Sequence, residues 1–280
     1  RWFGSRCLAL AVLGWLAVVP VTEILGQAFV RGPLDWEAGI TRLADEGGVL
    51  GNEARDGASP WIYPRLDAGG FAAKPDDPRY PEQWHLARIQ APEAWKITTG
   101  SRKVVVAVID TGMNLNHEDL RDNVWNNMGE DANRDGILDE RDVDGIDNDG
   151  NGYVDDFHGW DFIGQDNDPA PDDPVDQHGT KIMGIIGARG NNGKGVTGVC
   201  WEVSLMSLRV VPGTDGDREK VRRYYAATGK NILHQAIAYA MKMGAMVVNC
   251  SFGNPEFDRG MYDLMARAGE QGVVFLAAAG

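Results

Sequence analysis

"KVVVAVIDTG", residues Lys103 to Gly112, is the stretch whose reading decides the fold. Six of the seven residues from Lys103 to Ile109 are apolar, and five of those are β-branched. Branched side chains suit a pleated surface, and a run that is apolar at every position must be covered on both faces. That is the pattern of a strand inside a parallel sheet. Working outward, "VSLMSLRVV" (203–211), "AMVVNCSFG" (245–253) and "VVFLAAAG" (273–280) read as further strands. Between them lie segments of helical period. "HGTKIMGIIGA" (178–188) spaces Ile182, Ile185 and Ile186 on one side. "NILHQAIAYAMKMG" (231–244) has an apolar face of Leu233, Ile237, Ala240 and Met241 and closes on Gly244, and "MYDLMARAGEQG" (261–272) is a third helix. Strands alternating with helices predict an α/β fold, a parallel β-sheet with helices on both faces. Ligands of such sheets gather beyond the carboxyl ends of the strands, where Asp110, Ser251 and Gly280 fall.

Asp110 and His178 are the residues at those ends that carry chemistry. A carboxylate that closes a hydrophobic strand is costly without a partner, so Asp110 is expected to have one. A turn cap through Thr111-Gly112 is the competing reading. His178 opens a helix directly before Gly179-Thr180, small residues that let a backbone or a substrate approach the imidazole. His85, His117, His158 and His234 lack that setting. An aspartate and a histidine on adjacent elements at one sheet edge make two-thirds of a nucleophilic triad.

Charge is concentrated in one place. From Glu130 to Asp176 there are 17 acidic residues against Arg134 and Arg141, net −15, whereas the rest of the 280-residue chain carries 24 acids and 25 bases. With no basic face to meet phosphates, the acidic body argues against nucleic acid as a partner. A local cluster of carboxylates points to a hard cation. A calcium loop wants oxygen ligands at positions 1, 3, 5, 7, 9 and 12, with glycine at 6. Starting at Asp131, the template is met by Asp131, Asn133, Asp135, Gly136, Ile137 through its carbonyl, Asp139 and Asp142. Starting at Asp147, it is met by Asp147, Asp149, Asn151, Gly152, Tyr153 through its carbonyl, and Asp155, but His158 stands at position 12. The second loop must borrow a ligand, with Asp156 and Asp144 as candidates. The flanking segments are too short for EF-hand helices, so loop-only Ca2+ sites are expected in an insertion spanning about 130–176. A flexible acidic surface loop is the competing reading.

The amino end reads as a targeting segment. Arg1 and Arg6 precede an apolar run from Cys7 to Val19, and Gly26-Gln27-Ala28 supplies small residues for cleavage, so residues 1–28 are expected to be a signal peptide. Pro20 and the shortness of the run argue against a spanning helix. Secretion without stable membrane association follows as the expectation. Residues 29–82, rich in Gly, Pro, Asp and Arg, read as a linker or a short pro-segment. Cys200 and Cys250 lie in apolar, strand-like surroundings and are expected to be buried free thiols.

"VVVAVIDTGMNLNHEDL", "HGTKIMGIIGA", "GVTGVCWEVSLMSLRVV", "MVVNCSFG" and "VVFLAAAG" follow one another in the order found in subtilisin-like serine proteases. From about Gln83 to Gly280 the chain resembles the catalytic domain of that family, and a peptidase domain over 83–280, incomplete at its carboxyl end, is what the resemblance implies. It makes Asp110 the aspartate that orients the imidazole and His178 the general base. Ser251, Phe252 and Gly253 become the strand that pairs with an extended peptide substrate and walls its main pocket. It also suggests a second calcium site, with Asp119 and Asn192 as ligands and the carbonyls of Gly190, Lys194 and Val196 as helpers. A helix-cap Asp and a turn Asn are the competing readings. The family's nucleophile lies in a Gly-Thr-Ser-Met-Ala-like turn, which no serine here occupies: Ser5, Ser59, Ser101, Ser204, Ser207 and Ser251 all stand in other contexts. The expectation is a secreted, calcium-stabilised serine endopeptidase acting on protein and peptide substrates, inactive as the chain stands. A calcium-dependent binding or adhesion module and a catalytically dead scaffold are the alternatives. The acidic insertion, as an accessory, is expected to stiffen a surface loop beside the active-site edge. The sequence leaves cleavage specificity and oligomeric state open.

Overall fold

The computed structural model describes residues 74–172, 177–212, 223, 231–253 and 257–278. Residues 1–28, expected to be a signal peptide, most of 29–82 and Gly280 lie outside the described residues. Two short helices, α1 (Trp84–Arg88) and α2 (Ala91–Trp95), lead into strand β1 (Gly100–Asp110). Then follow β2 (Gly159–Asp161), α3 (His178–Gly187), β3 (Glu202–Arg209), α4 (Asn231–Lys242), β4 (Val247–Cys250), α5 (Arg259–Glu270) and β5 (Val274–Ala277). The strands form one parallel sheet in the order β2-β3-β1-β4-β5.

β1 sits at the centre because both its faces are apolar. Val106 and Val108 pack with Met183 of α3 and with Val203 and Leu205 of β3. Ala107 and Ile109 pack on the other side with Ile237 and Ala240 of α4 and Ala268 of α5. Helices thus cover both faces, as the alternation of strand and helix signals requires. A third cluster, Leu86, Ala91 and Trp95 against Trp201, seats α1 and α2 on the body. No helix among the described residues is long and apolar enough to cross a membrane.

Three features depart from the reading of the sequence. β2 lies inside the acidic stretch; three residues cannot display a period, and pairing with Ser207–Arg209 of β3 is what makes them a strand. α5 begins two residues before Met261, because Asp258 caps it by accepting from the Met261 N–H at 3.1 Å. The body also takes in residues upstream of Gln83. Buried Asp77 accepts from the N–H groups of Asn191 (2.7 Å) and Asn192 (3.2 Å) and from Thr197 Oγ1 (2.6 Å). Cys200 and Cys250 are free, and burial pushes both thiols up to about 12.

Candidate functional site

Asp110 is the last residue of β1 and His178 the first of α3, and the two side chains meet. Asp110 Oδ1 accepts from His178 Nδ1 at 2.7 Å and from the Thr111 N–H at 2.7 Å. An ionised carboxylate can only accept, so Nδ1 carries the proton and Nε2 is the basic nitrogen. The Asp110 side chain is 3% exposed, whereas the His178 side chain is 54% exposed. One end of the pair is therefore dry and the other faces solvent, the arrangement of a general base held by a buried acceptor.

The local sequence explains the approach. Gly112 has φ +99°, a conformation that costs a side-chain-bearing residue. A Cβ on Gly179 would lie 2.3 Å from the Gly112 carbonyl oxygen. The small residue after the histidine thus serves the neighbouring backbone turn. The Gly179 N–H donates to Thr111 Oγ1 (3.0 Å), and the Asn114 N–H donates to Thr180 Oγ1 (3.0 Å). Asp-Thr-Gly and His-Gly-Thr are two halves of one hydrogen-bonded joint.

Ser251, Phe252 and Gly253 follow β4, which ends at Cys250, on the same edge as Asp110. Ser251 Oγ accepts from Asn249 Nδ2 at 2.9 Å, and Phe252 packs against the core on the α4 side. Ser204 Oγ donates to the Arg102 carbonyl and Ser207 Oγ to the Pro169 carbonyl. These hydroxyls are committed to structural partners.

The acidic loops share one internal geometry. Asp131 accepts from the N–H groups of Asp135 (3.2 Å) and Gly136 (2.8 Å), and Asp147 accepts likewise from Asn151 (2.9 Å) and Gly152 (2.7 Å). Asn133 and Asp149 each accept from the residue two positions on, as do Asp135 from Ile137 and Asn151 from Tyr153. Buried Asp142 closes the first loop, accepting from Asn133 (3.3 Å) and Asp139 (3.0 Å). Asp139 and Asp135 face Arg141, and its hydrogen bonds hold Asp139 at about 2. His158 at the end of the second template does not close that loop, since its Nδ1 lies 3.1 Å from the Trp125 carbonyl. Asp155 accepts instead from Asp144 and Gly145.

The oxygens that do converge come from Glu130, Asp149 and Asp156, whose ligand atoms all lie within 4.8 Å of one another. Glu130 and Asp156 are fully buried, and burial pushes both carboxyls up. Asp156 accepts from Asn127 Nδ2 (2.7 Å), Asn151 Nδ2 (2.9 Å) and the Tyr239 hydroxyl. Glu130 reaches back to accept from the Asp149 (3.2 Å) and Asp155 (3.1 Å) N–H groups. Sequence reading named Asp156 as a ligand to borrow but passed over Glu130, which stands outside both templates. The loops leave the sheet beside the middle of β3, where the Trp125 N–H donates to the Leu205 carbonyl. They lean on the end of α4, since Lys242 Nζ donates to the Asn151 carbonyl. That end of α4 adjoins the start of β4, so the loops brace the flank of the sheet away from Asp110 and His178. Among the described residues of the segment, 161–172 return to the sheet edge that carries Asp110.

Asp119 and Asn192 are also brought together. Asn192 Nδ2 donates to Asp119 Oδ1 (3.0 Å), and the Val196 N–H donates to Oδ2 (2.8 Å). Asp119 is buried, and burial raises its carboxyl despite these donors, with the charge of Asp77 adding to the effect. Asp77 grips the same loop and was missed because "KPDDP" has no period or spacing to mark it.

A model described as the Subtilase family matches residues 101–280. The chain belongs to the subtilase family. It is 30% identical over 199 residues to "Subtilisin-like protease 1" of Plasmodium vivax, covering 70% of this chain and 28% of the relative. It is 29% identical over 207 residues to "Thermitase" of Thermoactinomyces vulgaris, covering 74% and 57%. With "Halolysin" of Haloferax mediterranei it shares 28% over 250 residues, covering 89% and 39%. The chain thus spans between about a quarter and three-fifths of these relatives. Among solved structures, a protease from Pseudoalteromonas arctica matches the fold with TM-score 0.50 and 24% identity, covering 72% of this chain and 58% of that one. Serine endopeptidase activity is what the family implies.

Proposed function

We propose that this subtilase chain supplies the Asp–His half of a serine endopeptidase, with Asp110 as the orienting carboxylate and His178 as the general base. The observation that carries the reading is the 2.7 Å contact between a buried carboxylate and an imidazole that faces solvent. His178 Nε2 takes the proton of a serine hydroxyl as the hydroxyl attacks the peptide carbonyl, and returns it to the departing amine. Asp110, shielded from water, stabilises the imidazolium between those steps. The hydroxyls of Ser204 and Ser207 donate to backbone carbonyls, so neither is assigned as the nucleophile. Ser251–Gly253 continue the line of β4 past its last residue, where an extended peptide can pair with their backbone.

Calcium is the cation we assign to the acidic segment. Glu130, Asp149 and Asp156 offer hard carboxylate oxygens and no sulfur or imidazole, a donor set that suits calcium over transition metals. The first loop, with Asp131, Asn133, Asp135, Ile137, Asp139 and Asp142, and the Asp119–Asn192 pair are further candidate holders. When bound, calcium neutralises the converging charge and stiffens the flank of the sheet. Secretion, where calcium is plentiful, accords with this, and "Halolysin-like extracellular serine protease Nep" of Natrialba magadii is a relative at 27% identity over 206 residues.

The test is a serine-directed fluorophosphonate probe on the complete protein. Labelling that disappears in His178→Ala supports the reading. Undiminished labelling in that variant, or none in the wild type, sinks it.

A further inference from the structure

Arg209 ends β3 directly beside Asp110, its register partner on β1, and its side chain is 2% exposed. The steps of peptide hydrolysis leave it without a task. Its guanidinium holds two carboxylates from one segment: Asp161, itself buried at the end of β2, and Asp172, whose side chain is 73% exposed. The Arg209 Nη1–Asp172 Oδ1 contact is 3.0 Å. Between these two anchors the chain crosses the Asp110–Gly112 turn as a strap. The buried Pro169 carbonyl accepts both the Met113 N–H (3.1 Å) and the Ser207 hydroxyl (3.1 Å). A Cβ on Gly112 would lie 2.4 Å from that carbonyl oxygen. The turn is therefore clasped from two sides, by the strap and by the Gly179 end of α3. Asp110 Oδ2 lies buried there without a hydrogen-bond partner. Water admitted at this point would hydrate that oxygen and loosen the carboxylate's hold on His178.

We propose that Arg209 is a positioning residue for the catalytic pair, acting through Asp161 and Asp172 to hold the 161–172 strap across the Asp110 turn and keep Asp110 dry. The two carboxylates have different tasks. Asp161 neutralises the guanidinium inside the fold, where an unpaired buried charge would be destabilising. Asp172 ties down the strap's far end at the surface. A planar fork can span both, which a lysine ammonium cannot. The proposal rests on the protease reading for its consequence in turnover, but its structural content is independent of that reading.

The test uses Asp172→Asn, which leaves the buried Arg209–Asp161 pair intact, so the fold is expected to survive. The first readout is the far-downfield proton resonance of His178 Nδ1, which reports the bond to Asp110 and needs no nucleophile. It is expected to broaden or vanish through exchange with water in Asp172→Asn and in Arg209→Lys, with near-UV circular dichroism unchanged, and to return in Asp172→Glu. Asp168→Asn removes the same charge from the same strap without touching Arg209, and is expected to keep the resonance. The second readout, in the complete protein, is a fall in kcat of about 10–100-fold with KM little changed, the scale of a small misplacement of catalytic groups. A resonance in Asp172→Asn as sharp as in the wild type overturns the proposal. So does an equal loss in Asp168→Asn, because the effect would then be long-range charge. If the complete protein hydrolyses nothing, the protease reading fails while the resonance still decides the strap.

Discussion

Chelating calcium at pH 8 is expected to lower the thermal midpoint by roughly 5–11 °C, and the cluster of Glu130, Asp149 and Asp156 sets the reason. Their ligand oxygens lie within 4.8 Å of one another. Two unit charges at that separation repel by about 3.5 kcal/mol at an effective dielectric of 20, so three pairs approach about 10 kcal/mol. Asp149 is exposed and water screens it, so that sum is an upper bound; against a domain stability of roughly 5–15 kcal/mol, buried Glu130 and Asp156 still need compensation. Hydrogen bonds from Asn127, Asn151 and Tyr239 offset part, and the remainder falls to protons or a cation. A cation present at 100 times its Kd contributes about 2.7 kcal/mol. For a domain of this size each kcal/mol moves the midpoint about 2–4 °C, which gives the range above. Protons compete for the same oxygens, and the sign follows from the raised carboxyls of Glu130 and Asp156. A group whose folded pKa is raised stabilises fully below its unfolded pKa, and that stability is lost as pH rises through the folded value. The chelated protein should therefore lose midpoint from pH 5 to pH 8, while the calcium increment grows over the same window. Differential scanning calorimetry with millimolar calcium or with chelator, at both pH values, is the assay. Identical midpoints with and without chelator at pH 8 would refute the reasoning.

Three substitutions probe other parts of the structure. Glu130→Gln removes one converging charge yet keeps an acceptor for the backbone, and should cut the calcium-dependent midpoint shift by about half or more; an unaltered shift would place the ion elsewhere. Gly112→Ala forces a side chain into a φ of +99° and against the Pro169 carbonyl, so a loss of about 1–3 kcal/mol or more is expected in urea unfolding, and a wild-type midpoint would contradict it. Asp77→Ala strands the donors of Asn191, Asn192 and Thr197, with an expected cost of about 1–3 kcal/mol and faster amide exchange at 191–197; unchanged exchange would show that the loop holds its shape alone.

Much of this was legible along the chain because the signals are local. The apolar run before Asp110 announces a buried parallel strand within seven residues, and the helices on either side show their periods within three turns. Asp110 and His178 were legible as positions, a carboxylate ending a strand and an imidazole opening a helix. Their mutual approach depends on Gly112 and Gly179, whose purpose appears only when the two backbones touch. The shared turns of the two acidic loops were readable for the same reason, since each is set by Asp and Asn spacing within a few residues.

Other parts needed the tertiary structure. β2 has no pattern of its own and exists by pairing with β3. Glu130 joins Asp149 and Asp156 from outside both templates, and Asp77 reaches a loop more than a hundred residues away. Arg209 reads as one polar residue at a strand end until Asp161 and Asp172 close on it. The acidic loops, set between Asp110 and His178 in the chain, brace the far flank of the sheet in space. Sequence alone determined the central strands and the helices between them, and the chemistry available at their ends, because propensity and period act between near neighbours. Which charges share a site was decided by folding, because burial and electrostatics act through space between residues that no spacing rule connects.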